Sequence, residues 1–297
     1  MPAWNLAPPR QALTTTFAPI NGMPHCQKER GSEQQRMARQ AIVAAVRMCK
    51  GLCAFNLTKE GVLLSNRTSS GLVAGYYLAK KGIKTAIYER KLSAGGGMWG
   101  GGMMFNKIVV QTEAKYILDE FEVGSIEYQK DYYVANSVET VSALCYRCVR
   151  AGTRIFSLLS VEDVMIREND RVTGLVINWS AVSLANLHVD PLAIRAKLVI
   201  DATGHAAEVC HIVTRKLGNK LATKTGDVIG EKSMWAEVGE KELVAKTPEV
   251  YPGLLATGMA VNAVFGLSRM GPIFGGMLLS GKNVADLSAY LLKNTSG

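Results

Sequence analysis

The pattern of apolar and polar positions changes character at Gly71. Residues 72–81 carry apolar side chains at helical spacing and run into Gly82, a residue suited to the left-handed position after a helix. Residues 84–89, Lys-Thr-Ala-Ile-Tyr-Glu, then predict a buried strand ending in an acid. Residues 108–150 predict mostly helix, with a short strand near Tyr132-Tyr133-Val134. Residues 154–158, 161–168 and 171–179 predict strands, and the turn at Asn169-Asp170 makes the last two an antiparallel hairpin or meander. The apolar run Leu198-Val199-Ile200 predicts another buried strand, residues 250–258 a further one, and a helix is expected from about Gly275. Upstream, residues 1–33 are rich in Pro, Thr, Gln and Asn and predict a loose arm, and residues 33–50 predict one short helix. The expected organisation is an atypical arm over residues 1–69, with a damaged first strand and glycine turn, and a single α/β domain over residues 70–297.

Helix, glycine, strand and acid form half of a Rossmann-type dinucleotide-binding fold. Glu89 lies eighteen residues beyond Gly71, where such folds place the carboxylate that accepts ribose hydroxyls. The turn before it departs from the pattern. Where G-x-G-x-x-G belongs, the chain reads Asn66-Arg67-Thr68-Ser69-Ser70-Gly71 and keeps only the last glycine. A Cβ at positions 66 and 68 crowds the tight turn and the approach of backbone to pyrophosphate, so nucleotide affinity is expected to suffer. Residues 95–102 hold six glycines in eight positions around Met98 and Trp99. Flexible linkers rarely include Met and Trp, so this segment is expected to wrap a pyrophosphate or sugar with its N–H groups.

Charge narrows the partners. The formal net charge is +9, but residues 1–70 contribute +6 and the longer remainder only +3. With no basic stripe interleaved with aromatics in the body, nucleic-acid binding is not expected. Cys145 and Cys148 form a C-x-x-C inside a predicted helix, without a second pair at zinc-ribbon spacing, and read as helix-face thiols in a reducing cytoplasm. No run of eighteen apolar residues predicts a membrane span, and residues 1–22 lack the apolar stretch of a signal peptide.

The candidate metal chemistry lies in Leu187-His188-Val189-Asp190-Pro191 and Asp201-Ala202-Thr203-Gly204-His205. In an extended segment His188 and Asp190 share one face. A strand ending near Asp201 would deliver His205 on the turn at its carboxyl end, where open parallel sheets bind ligands. Imidazole and carboxylate in small number suit a divalent transition metal with open positions. Solvated loop residues or a satisfied core histidine remain the alternative.

Six motifs occur in order: Gly95-Gly-Gly-Met-Trp-Gly-Gly-Gly-Met103, Leu187-His-Val-Asp-Pro191, Asp201-Ala-Thr-Gly-His205, Ser233-Met-Trp-Ala-Glu-Val238, Val250-Tyr-Pro-Gly253 and Arg269-Met-Gly-Pro-Ile-Phe-Gly-Gly-Met277. Together they resemble the thiamine thiazole synthase family, in its archaeal, sulfide-using branch, over about residues 70–293. The resemblance implies a glutathione-reductase-like Rossmann-type fold with an inserted antiparallel β-meander, which makes residues 70–297 a single NAD/ADP-ribose-binding α/β domain. It implies conversion of NAD, glycine and a sulfur source into an adenylated thiazole carboxylate, the precursor of the thiazole half of thiamine, in a ring-like homo-oligomer. It also implies Fe(II) held by Asp190 and His205, and NAD contacts from Ser70, Glu89, Arg90, Gly97, Val161, His188, Val189, Asp190 and Met259. Arg269 would clamp the glycine carboxylate. Some relatives sacrifice the sulfur of a cysteine where this chain has His188, so free sulfide and catalytic turnover are expected here. The likeness begins abruptly at Ser70-Gly71. Two accounts stay open: a frame change or misjoined start upstream, or a relative that has lost activity and retains at most nucleotide binding.

Overall fold

The computed structural model describes residues 61–246 and 248–294. Its first element, β1 (Val62–Asn66), is buried along its whole length. After it come α1 (Ser69–Lys80) and β2 (Thr85–Glu89), then the glycine segment as two 3-10 turns (Gly96–Gly100 and Gly102–Met104). Next are β3 (Lys107–Gln111), α2 (Thr112–Glu120), β4 (Ser125–Gln129), β5 (Tyr132–Asn136), α3 (Ser137–Arg150) and β6 (Arg154–Ser157). These lead to β7 (Leu159–Arg167), β8 (Arg171–Trp179), α4 (Ser180–Leu184), β9 (Leu192–Arg195), β10 (Leu198–Ala202) and α5 (Glu208–Leu217). The remaining elements are β11 (Lys232–Met234), α6 (Ala236–Ala245), β12 (Glu249–Tyr251), β13 (Leu254–Ala256), α7 (Met259–Phe265), β14 (Ser268–Arg269) and α8 (Gly275–Asn294).

The largest sheet has the order β12-β13-β10-β1-β2-β6. All its pairings are parallel except that of the short edge strand β12 with β13. Its central strands are near-continuous apolar runs, Val62-Leu63-Leu64 against Leu198-Val199-Ile200, as expected of parallel strands covered on both faces. The chain leaves β1 toward β2 on one side and meets β10 on the other. A crevice therefore opens beyond the carboxyl ends of β1 and β10, at the point where the strand order reverses. Helix α1 packs against α8 so closely that a Cβ at Gly281 would sit 2.4 Å from the Ser70 carbonyl oxygen. Two smaller antiparallel sheets, β3-β5-β4 and β7-β8-β9, and the two-stranded parallel pair β11-β14 complete the described fold.

The first strand expected to be damaged forms as β1 from residue 62 and occupies the middle of the sheet, because pairing on both sides buries its apolar residues whatever the turn after it contains. The expected helix over residues 33–50 and the arm up to residue 60 lie outside the described residues. Residues 108–150 are helical over about half their length, in α2 and α3, and the strand expected near Tyr132 is β5, whereas β3 and β4 were not expected. Strands β3, β4 and β5 form there around a turn at Asp131, which adopts φ +70°, and Ile108 and Val110 alternate inward with a period of two. Cys145 and Cys148 do lie on a helix, and burial pushes their thiols up to about 11 and about 12. Thiols so little ionised are poor nucleophiles and metal ligands. No described helix is long and apolar enough to cross a membrane.

Glu240 of α6 is buried, and its Oε2 accepts the Gly276 N–H at 2.5 Å in the first turn of α8. Burial pushes its carboxyl up to about 7, with Glu113 adding to the rise and the Gly276 and Gln111 hydrogen bonds opposing it. The folded state thus holds a proton that the unfolded chain releases near its ordinary value of 4.5. Stability from this group is full below pH 4.5 and is lost as pH rises through about 7. Thermal unfolding of Glu240→Gln should therefore lose less Tm than the parent between pH 5 and pH 8. An equal loss in both proteins would show that Glu240 does not titrate in this way.

Candidate functional site

The crevice holds a cavity of about 680 Å³. Its walls come from the turn after β1, the end of β2, the glycine segment, the turn after β10, and the segment from β14 into α8. Asp201 at the end of β10 is fully buried and shapes one wall. Its Oδ1 accepts the Thr203 N–H at 2.9 Å and the Thr203 hydroxyl at 2.6 Å, and its Oδ2 accepts the Cys210 N–H at 3.0 Å. A buried carboxylate supplied with three donors is well satisfied, so Asp201 fixes the turn that carries Gly204 and His205 to the cavity.

The altered glycine turn is a bonded structure. Asn66 Nδ2 donates to Glu89 Oε2 at 3.2 Å, and its Oδ1 accepts the Thr68 N–H at 3.3 Å. Any side chain at position 71 would place Cβ 2.0 Å from Asn66 Oδ1, which accounts for the one retained glycine. The Thr68 hydroxyl donates to the Ala202 carbonyl at 3.1 Å and lies 2.7 Å from the Ser70 hydroxyl. Arg67 lines the cavity and pairs with Glu208 Oε1 at 2.9 Å, and Arg90 reaches the same oxygen at 3.2 Å. Glu89 also lines the cavity, yet is 1% exposed, and burial pushes its carboxyl up to about 7 against hydrogen bonds from Lys91 N–H and Asn66.

The glycine segment lines the cavity through Gly95, Gly96, Gly97, Met98, Gly101 and Gly102. It is a pinned structure and no loose linker. Trp99 donates from Nε1 to the Ala94 carbonyl at 2.8 Å, and its own carbonyl accepts from Asn106 Nδ2 and the Ser137 hydroxyl. Gly96 adopts φ +62° against the backbone of the β1 turn, where a Cβ would come 1.8 Å from the Arg67 carbonyl oxygen.

Among the sequence-predicted residues, Glu89, Gly97, His205, Met259 and Arg269 meet at this cavity. His205 Nδ1 contacts both oxygens of Glu231, at 2.7 and 2.8 Å, which leaves Nε2 available. Arg269 is exposed and makes no ion pair among the described residues. Arg90 and Val161 line a second cavity of about 420 Å³, whose wall shares Ala206 with the first. Ser70 lines neither: it is fully buried beneath Gly258 and Gly281, and Ser69 takes the wall position. His188, Val189 and Asp190 also line neither cavity. They lie on an exposed segment before β9. The Val189 carbonyl accepts from Asn178 Nδ2 at 2.9 Å, which ties this segment to β8. No group of three or more His, Cys, Asp and Glu side chains forms a metal cluster among the described residues. Lys91 and Glu231 carry no motif in the sequence, and Arg67 and Ser69 stand in the altered glycine turn, where the missing glycines read as damage.

Neighbouring glycines give a sharp test of this wall. Gly96→Ala should destabilise the protein by roughly 1–3 kcal/mol, from positive φ and the backbone collision. Gly97→Ala meets open space within 4 Å and should leave urea unfolding unchanged while narrowing the cavity. Equal stability of the two variants would contradict the pinned geometry.

Comparison with known proteins joins these features. The profile of the Thi4 family matches residues 46–274, so the likeness extends upstream of Ser70 through β1. Thiamine thiazole synthase of Methanothermobacter thermautotrophicus is 60% identical over 224 residues, covering 75% of this chain and 86% of that protein. The Pyrococcus furiosus thiamine thiazole synthase is 56% identical over 217 residues, covering 73% and 83%. The crystal structure of Thermovibrio ammonificans THI4 superposes with a TM-score of 0.82 at 48% identity, covering 88% of this chain and 98% of that one. A geranylgeranyl bacteriochlorophyll reductase-like protein from Thermoplasma acidophilum, 14% identical with a TM-score of 0.53, shares the fold alone. The parallel sheet, the glycine-walled cavity at its switch point and a match over most of the described chain converge on one conclusion: the chain belongs to the Thi4 family.

Proposed function

We propose that the chain is a thiamine thiazole synthase that builds an adenylated thiazole carboxylate from NAD, glycine and free sulfide with Fe(II). The observation that carries this reading is the meeting of Glu89, Gly97, His205, Met259 and Arg269 at one cavity, in a chain whose relatives bear that enzyme's name. The parallel sheet with its antiparallel insertion β7-β8-β9 agrees with the glutathione-reductase-like fold proposed for it.

Each residue has a role its surroundings support. Glu89, at the end of β2, would accept ribose hydroxyls of NAD, and the N–H groups of the glycine segment would face its phosphates. The adjoining cavity with Arg90 and Val161 would take the adenosine end. Arg269 offers a planar fork for the glycine carboxylate, which orients the amine toward the opened ADP-ribose sugar.

His205 fits a metal ligand, since metal-bound imidazoles commonly hold a carboxylate on the other ring nitrogen, as His205 holds Glu231. Asp190 is proposed as the second ligand. Its exposed segment must then reach a cavity, in its own chain or in a neighbouring copy. Bound there, Fe(II) would supply Lewis acidity and open positions for small reactants. His188 has no sulfur to donate, and for this reason sulfide is proposed as the sulfur source.

A homo-oligomer is part of the reading. Leu184, Leu187 and Val189 lie exposed near Asp190, and Met103, Met104 and Phe105 lie exposed beside the glycine segment. Apolar surface of this kind commonly marks association. The alternative, a relative that binds nucleotide without turnover, is favoured by one contact: Asn66 already donates to the carboxylate that would receive the ribose.

Anaerobic incubation of the purified protein with NAD, glycine, sulfide and Fe(II), followed by mass spectrometry, should give more than one adenylated thiazole per chain, and none when sulfide is withheld. A yield capped at one per chain would refute sulfide-fed turnover. Nucleotide bound without product would support the alternative. Arg269→Ala should raise the KM for glycine about tenfold to a hundredfold, as expected for loss of a charged hydrogen-bonded pair, with little change in NAD affinity. An unchanged glycine KM would remove Arg269 from carboxylate recognition.

A further inference from the structure

Arg67 occupies a turn position at which dinucleotide-binding folds bring bare backbone against a diphosphate. Its own N–H is committed to the Ala202 carbonyl at 3.0 Å. Its side chain, by contrast, forms part of the cavity wall, and its Nε is buried with no hydrogen-bond partner among the described residues. Beside it, Ser69 opens α1, is 1% exposed, lines the same wall and carries a hydroxyl that is likewise unpartnered among the described residues. Thr68, which precedes the helix, makes no side-chain cap, so the first-turn N–H groups of α1 receive no bond from it. Two residues that each carry an unpartnered buried polar atom, and the positive end of a twelve-residue helix, therefore contribute to one wall of the crevice.

The charges on this wall do not cancel. Glu208 is shared by two guanidiniums, those of Arg67 and Arg90, and Lys91 lines the cavity as well. Glu208 holds the Arg67 fork through one nitrogen, Nη1, and even with Glu89, whose carboxyl burial raises to about 7, Arg67, Arg90 and Lys91 leave a net positive patch beside the helix end. A guanidinium can engage two phosphate oxygens at once and reaches farther than a main-chain N–H. The Cβ atoms of Asn66 and Thr68 keep the turn's backbone away from a ligand, and a long side chain spans that gap.

We propose that Arg67 is the diphosphate-anchoring residue of this cavity, making through its guanidinium the phosphate contact that a glycine turn makes through its backbone. The proposal rests on the reading of the cavity as an ADP-ribose site and adds a residue to it. It also turns the lost glycines into a change in the mode of binding, from main chain to side chain.

Calorimetric titration of the full-length protein with ADP-ribose, ADP and adenosine tests it, using the parent, Arg67→Ala and Arg67→Lys. Arg67→Ala should weaken ADP-ribose and ADP about tenfold to a hundredfold, leave adenosine unchanged and make binding of the two phosphorylated ligands less sensitive to salt. Arg67→Lys should recover part of the loss, and retained adenosine binding certifies that the variant is folded. If Arg67→Ala binds ADP-ribose as the parent does, Arg67 is not the anchor although the nucleotide site stands. If it weakens adenosine and ADP-ribose equally, its role is structural and the proposal is overturned. If the parent binds none of the three, the nucleotide reading and the anchor fall together.

Discussion

The structure depends on β1 being paired on both sides. Five consecutive buried residues bond in parallel to β2 on one edge and β10 on the other, so the ends of all three strands come together. The turn after β1, the acid ending β2 and the Asp201 turn are each ordinary local features. They become one cavity because parallel pairing aligns Asn66 with both Glu89 and Ala202. Removal of that strand from the sheet would leave β2 and β10 without a common neighbour.

Buried polar groups then decide the details of the wall. Asp201 is satisfied from within by Thr203 and Cys210 and acts as a fixed part of the frame. Glu89 is buried to a similar degree but lacks comparable compensation, and its carboxyl rises to about 7. Two acids at neighbouring strand ends thus have different tasks, one holding a turn and the other facing a cavity. The same contrast separates His205, held by Glu231 at the cavity wall, from His188 on an exposed segment outside it.

Much of the fold was legible in the residues. The apolar runs announced β2 and β10, Gly82 marked the end of α1, and the glycines at 95–102 marked a wall of the cavity. The strands β3 and β4 were hidden because each is five residues long, too short for a period of two to stand out against neighbouring helices. At the site, Arg269 and His205 were found through motifs, whereas Arg67 was hidden by an expectation: a missing glycine reads as damage until the replacing side chain is seen to make contacts.

The sequence by itself determined the alternation of strand and helix, the family likeness and the residue types available for chemistry, because periodicity, glycine runs and motif order are local properties. Only the tertiary structure decided which of those residues meet. It brought Met259 and Arg269 to Glu89 across more than 150 positions of chain, turned Ser70 under the helix and Ser69 to the cavity, and left Asp190 outside. Strand pairing and helix packing set these distances, and no spacing along the chain encodes them.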